Sequence, residues 1–201
     1  MNTKQWLSAQ TLTLPLIALM ALTRFHHFGD AFSLPDASLA VFFLAGLGFA
    51  RRWWLLGFLM LEAAVIDYVA ITHFNVSAFC VSPAYIFLIP TYAVMWFAGS
   101  YCVKFKNFTA SDIMSTVGVS ALGASVAFLI SNGSFYLLSG RYPDSSWAQY
   151  TDRVMQYYPP HTSTALCYVV LGLLAIKLVK ALPALMANHK AVYSFLRFAN
   201  S

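Results

Sequence analysis

Charge is what this sequence has least of. Only 9% of its 201 residues are Asp, Glu, Lys or Arg, against about 25% in a soluble domain, which excludes an ordinary water-soluble fold. Cysteine is scarce as well. Cys80, Cys102 and Cys167 are widely spaced, with no CxxC pair and no Cys/His zinc spacing. Neither a disulfide framework nor a structural zinc site is indicated. No glycine loop of the GxxxxGK[ST] type occurs, which excludes the usual ATP site; any uphill transport draws its energy from elsewhere. The basic excess, a net charge of +5, is scattered through short connections. That pattern fits retention on the cytoplasmic side of a membrane and excludes nucleic acid as a partner.

What the chain has in abundance is hydrocarbon: 60% hydrophobic and 16% aromatic residues, the latter suited to interfacial belts. A spanning helix needs about 20 mostly apolar residues. The sequence predicts six, at about 8–25, 36–50, 53–73, 83–103, 111–138 and 162–181, in a single membrane domain over 1–201 with an amphipathic tail at 183–201. Asp36 is placed to cap the second helix, which is short for a span. Gly118, Ser120, Gly123, Ala124 and Ala127 give the fifth helix a face for close packing. With the N-terminus inside, Lys4, Arg51, Arg52, Lys104, Lys106, Lys177, Lys180, Lys190 and Arg197 lie inside, and only Arg24, Arg141 and Arg153 outside. The expected architecture is an all-α integral membrane protein of six transmembrane helices in the inner (cytoplasmic) membrane, with the lipid bilayer around it and both termini cytoplasmic.

Two connections then face outward, 74–85 and 140–161. The first, FNVSAFCVSPAY, has no charged side chain. Irregular backbone beside hydrocarbon must be packed in protein or line a cavity. Its Cys80 reads either as a small buried hydrophobe or as a thiolate for a soft or borderline metal. A single thiol makes no cage, but it can supply one axial bond to a metal held by a macrocycle, a haem or a corrinoid. Glu62 and Asp67 lie inside the third helix, about 14 and about 21 Å from its inner end, and ionisable groups in a span are functional candidates. Asp67 is nearer the level of Cys80. Tyr85 offers a hydroxyl to the same cavity, whereas Tyr68 reads as packing. His26 and His27 end the first helix on the outer side, where either is placed to contact a ligand. Asn132, Ser134 and Tyr136 surround Gly133 and suit a ligand's polar rim. The second connection carries Arg141, Asp144, Asp152 and Arg153, with Tyr142 and Trp147, and is long enough to cover a ligand.

Taken together, Arg24-Phe25-His26-His27-Phe28-Gly29, Leu34-Pro35-Asp36, Asp67-Tyr68 and Cys80-Val81-Ser82-Pro83-Ala84-Tyr85 resemble the BtuM family of cobalamin S-components, substrate-binding subunits of energy-coupling-factor vitamin transporters. The resemblance covers nearly the whole chain. It implies an S-component-like bundle that binds cobalamin or cobinamide and takes it up. It places Cys80 where the family approaches cobalt, with Asp67 and Tyr85 as polar positions close by. On this reading Cys80 replaces the nucleotide base as axial ligand, and its electron donation weakens the bond to a cyanide on the opposite face. Thiolate-assisted decyanation of cyanocobalamin would then involve Cys80, Asp67 and Tyr85. The expected ligand contacts are Cys80, Asp67, Tyr85, His26, Asn132, Tyr136 and Arg153. There is one departure. S-components commonly dock on a coupling ATPase module through AxxxA in the first helix, and here only Ala18 and Ala21 stand there, spaced AxxA. Gly46 and Ala50 have the four-residue spacing, on the second helix. Work alone and work with a coupling module both stay open. The rival expectation is a membrane redox protein holding haem or quinone through His26, His27 or His161.

Overall fold

The computed structural model describes the backbone of residues 3–24, 34–74, 76–105 and 109–199, and side chains over 12–24, 34–74, 76–79, 81–105 and 109–179. Among the described residues the chain is all helical, without strands. The helices are α1 (Thr3–Arg24), α2 (Ser38–Phe49), α3 (Trp53–His73), α4 (Leu88–Tyr101), α5 (Ala110–Leu138) and α6 (Trp147–Ala199). Short 3₁₀ turns at Ala78–Cys80 and Pro83–Phe87 lead into α4, and another at Cys102–Lys104 follows it. Four stretches are long and apolar enough to cross a membrane: Trp53–His73, Pro83–Lys104, Ala110–Leu138 and Trp147–Val179. This makes the chain a membrane-spanning helical protein. Two compact units are distinguished. Met1–Val169 holds α1 to α5 and the first part of α6. Val170–Ser201 holds the remainder of α6.

α2 organises the first unit. It is only 12 residues long, about 18 Å at 1.5 Å per residue, and nearly every side chain from Ser38 to Phe49 is buried. A helix apolar all round belongs inside a bundle. Glycine permits the tightest crossing. A Cβ on Gly99 of α4 would stand 1.9 Å from the Phe43 carbonyl oxygen, and one on Gly46 of α2 would stand 2.1 Å from that of Trp96. Gly46 is thus enclosed inside the bundle and is no docking surface for another subunit. A Cβ on Gly123 of α5 would stand 3.0 Å from Ala98 Cβ, as expected of a small-residue face, whereas one on Gly118 would meet nothing within 4 Å. Trp96, Phe42, Phe43, Phe128 and Met20 are the largest fully buried side chains. Tyr68, expected to pack, faces outward at 66% exposure.

The helix ends follow local chemistry. Thr109 and Asp112 form a capping box at the start of α5. Asp36 Oδ1 accepts the Ser38 N–H at 2.9 Å, so Asp36 does satisfy a free donor at the start of α2, two residues before the first helical residue. The largest correction concerns the connection at 140–161. Most of it is helix, because α6 begins at Trp147 and not near 162. Ser146 Oγ accepts the Gln149 N–H at 3.2 Å, the start of an S-x-x-Q capping pattern. Pro159 and Pro160 argue for a later start, since proline brings no N–H to a helix; α6 nevertheless runs through both. It also continues past Pro183 to Ala199.

Candidate functional site

The site begins with a buried arginine. Arg24 ends α1, and its side chain is only 4% exposed. Its Nε and Nη2 donate to Asp67 Oδ1 and Oδ2 at 2.7 and 2.6 Å, a two-pronged pair. Nη1 donates to Tyr92 OH at 2.6 Å and to Ser38 Oγ at 3.0 Å, with Asp36 Oδ2 at 3.5 Å, and Nε also reaches the Ala63 carbonyl at 3.2 Å. Tyr85 donates to Asp67 Oδ2 at 2.6 Å. The Tyr92 ring stacks on Phe42 with centroids 4.3 Å apart. A buried guanidinium is tolerated only when its donors and its charge are answered, and here α1, α2, α3 and α4 all contribute to the answer. Thr23 ties the same corner together, accepting the Ala37 N–H at 3.1 Å and donating to the Leu19 carbonyl at 2.8 Å.

This network floors a cavity of about 660 Å³, within the range usual for small-molecule sites. Its walls are aromatic: Phe79 before Cys80, Phe128 and Phe135 on α5, Tyr142 in the 139–146 connection, and Tyr157 on α6. Phe79 and Phe135 are tilted against each other at 5.6 Å, and Phe128 meets the His161 ring edge-on at 5.2 Å. Three polar atoms in this wall have no hydrogen-bond partner although they are buried: Asn132 Oδ1, Arg153 Nε and His161 Nε2. Buried polar groups are nearly always paired. All three residues line the cavity, so its wall holds an acceptor, a cationic donor and an imidazole nitrogen that the described protein groups leave unanswered.

Segment 74–85 is expected to be packed; its described backbone is shaped by local hydrogen bonds, but among its described residues only Ala84 is buried, and Phe74, Phe79 and Val81 are exposed. Ser77 Oγ accepts the Phe79 N–H at 3.2 Å, the Val81 N–H reaches the Ala78 carbonyl at 2.9 Å, and the Tyr85 N–H reaches the Ser82 carbonyl at 2.8 Å. Phe79, Ala84 and Tyr85 of this segment line the cavity. The Cys80 side chain lies outside the described residues, as do His26 and His27. Of the other expected site residues, Asp67, Tyr85, Asn132 and Arg153 meet around the one cavity. Tyr136 does not line it. Its hydroxyl accepts the Ser146 N–H at 2.7 Å and has the Ser146 carbonyl oxygen and Gln149 Oε1 within 2.9 and 2.8 Å, so it caps α6. Glu62 is half-buried with one carboxylate oxygen unpartnered, and it does not line the cavity.

Sequence reasoning missed Arg24, Asp36, Ser38, Tyr92 and Phe135 as parts of this site, while it places Tyr142 in the connection expected to cover a ligand. A signal for Arg24 is present: a carboxylate deep in a span needs a cationic partner at its own level, and Arg24 ends a preceding apolar helix at that level. Counting charges by side gives it a topological role alone. Among the described residues no three His, Cys, Asp or Glu side chains stand together as a metal cluster. No family model and no curated protein matches this sequence.

Proposed function

We propose that the protein is an inner-membrane uptake protein for corrinoids, cobalamin or cobinamide, which it binds in this cavity from the outer side. The observation that carries the reading is the unpartnered trio of Asn132 Oδ1, Arg153 Nε and His161 Nε2 set in an aromatic wall. A corrinoid has a broad apolar ring edged with amides, and amides supply both donors and acceptors. The ring packs on Phe79, Phe128 and Phe135, and its amides meet the trio. Cys80 stands in the turn beside Phe79, and its sulfur bonds cobalt in place of the nucleotide base. The thiolate contributes its electron pair to Co(III), and cyanide departs from the opposite face with the pair of the broken Co–C bond, so cobalt keeps its oxidation state. Asp67 and Tyr85 act as the wall that positions this turn. Asp67 is already committed to Arg24 and Tyr85, which fits a positioning role better than proton transfer. Six spans with both termini cytoplasmic, in an S-component-like bundle, complete the reading. An energy-coupling ATPase module is an optional partner, because the first helix offers no AxxxA.

The test mixes purified protein with cyanocobalamin and follows the visible spectrum. Wild type is expected to shift the corrin bands and release cyanide, and Cys80→Ala is expected to do neither. An unchanged wild-type spectrum, or the same change in Cys80→Ala, removes the cobalt–sulfur bond from the account. The free Nε2 of His161 is the one observation that favours the haem reading. A Soret band in the protein as purified, without added cofactor, would select it.

A further inference from the structure

The three arginines near the cavity are in unlike states. Arg24 is saturated, its donors answered by Asp67, Asp36, Ser38, Tyr92 and Ala63. Arg153 gives one Nη1 hydrogen bond to Tyr142 OH and is held by aromatic faces, its guanidinium carbon 4.7 Å from the Tyr142 ring centroid and 4.9 Å from that of Tyr157. Arg141 lies over Phe79 at 4.8 Å. Among the described residues no carboxylate forms an ion pair with either Arg141 or Arg153. Stacking on a ring engages the face of a guanidinium and leaves its in-plane N–H groups directed outward. Phe79, Phe135 and Tyr142 form a continuous aromatic cluster that carries both cations. Exposure orders the cavity: the Arg24–Asp67 pair is 4% and 8% exposed at the floor, Arg153 is half-buried and Arg141 is exposed at the rim. The floor sets Asp36 and Asp67 against Arg24, whereas Arg141 and Arg153 stand over aromatic rings, with Asp144 and Asp152 nearby in sequence but in no ion pair with them among the described residues.

From this arrangement we infer that Arg153, assisted by Arg141, forms an anion subsite at the rim that takes the phosphodiester of the substrate's nucleotide tail. The inference rests on the corrinoid reading and refines it: a cobalamin carries that phosphodiester, and a cobinamide lacks it. Guanidinium with in-plane donors free is the preferred partner of a phosphate. A stacked guanidinium is held in place before the ligand arrives, so ordering it costs little. The same chemistry is presented by a phospholipid headgroup, and the experiment separates the two.

Affinities for cobalamin and cobinamide are measured by visible titration of the full chain in phosphate-free maltoside micelles, with and without added phosphatidylglycerol. Removing one charge-assisted hydrogen bond corresponds to about 10-fold to 100-fold in affinity. Arg153→Gln is expected to lower the cobalamin-to-cobinamide affinity ratio by that factor. Arg153→Lys, which keeps the charge and loses the flat stack, should fall between. Arg141→Gln, at an exposed position that does not threaten folding, should lower the ratio less, and the wild-type ratio should fall with added salt. A ratio unchanged in both glutamine variants overturns the subsite while leaving corrinoid binding intact. If phosphatidylglycerol weakens both corrinoids equally in wild type and not in Arg153→Gln, the arginines hold lipid and the inference fails. If wild type binds neither corrinoid, the parent reading falls and the subsite with it.

Discussion

Truncating Asp67 to alanine tests whether the floor of the cavity holds the bundle together. In the structure Asp67 accepts from Arg24 Nε at 2.7 Å, Arg24 Nη2 at 2.6 Å and Tyr85 OH at 2.6 Å. Without it, the counter-charge that remains to the buried guanidinium among the described residues is Asp36, at 3.5 Å and with that side chain 30% exposed. Two charge-assisted hydrogen bonds are worth about 3–6 kcal/mol, and breaking a buried pair from one side costs about 3–5 kcal/mol, so the two routes agree. For a chain of this size that is a fall in Tm of about 6–20 °C, read by intrinsic tryptophan fluorescence in detergent micelles. The double variant Arg24→Met/Asp67→Leu removes both charges, so its loss should be well below the sum of the two single losses. A fall of under about 2 °C for Asp67→Ala, or strict additivity in the cycle, would refute the claim that this pair anchors four helices.

Other outcomes follow from geometry already described. Gly99→Ala places a methyl group 1.9 Å from the Phe43 carbonyl oxygen, and a backbone atom cannot swing aside. The α2–α4 crossing must open, and folded yield should drop sharply, while Gly48→Ala, with nothing within 4 Å, should be neutral within about 0.5 kcal/mol. Tyr136→Phe removes the hydroxyl that caps α6; it should cost about 1–3 kcal/mol and speed amide exchange at Ser146, Gln149 and Tyr150 while leaving ligand affinity nearly unchanged. Asn132→Leu replaces an unpartnered acceptor in the cavity wall by an apolar group of similar size. It should raise Tm slightly and weaken the bound corrinoid about 10-fold, as titration would show; tighter binding would remove Asn132 from the contact set.

The parts of the fold legible in the sequence are those set by long apolar runs. α3 falls at Trp53–His73 and α5 at Ala110–Leu138, where hydropathy and flanking charge agree. The start of α6 is misread because two signals conflict over the same residues: Pro159-Pro160 argues for a boundary, while Ser146-x-x-Gln149 opens a helix upstream of it. Proline carries the stronger local penalty, yet tertiary contacts decide, with Tyr136 fixing the start and Ser125 bonded to Tyr158 at 2.8 Å beyond it. In the site, Asp67 and Tyr85 are legible because a carboxylate in hydrocarbon demands an explanation. Arg24, taken by position along the chain, reads as a topology residue, and Arg153, although expected at the ligand, lies in what reads as a connection. Their roles depend on which helix ends converge in three dimensions, and no spacing rule encodes that.

The cap that Tyr136 places on α6 leaves only residues 139–146 between two helices, and that has a kinetic meaning. A connection so short, fastened at its far end to a side chain of the helix it leaves, is a fixed parapet rather than a hinged flap. A molecule approaching past it waits on no closing motion on that side. Its capture rate would be governed by encounter, and the two stacked cations would make that rate fall as ionic strength rises.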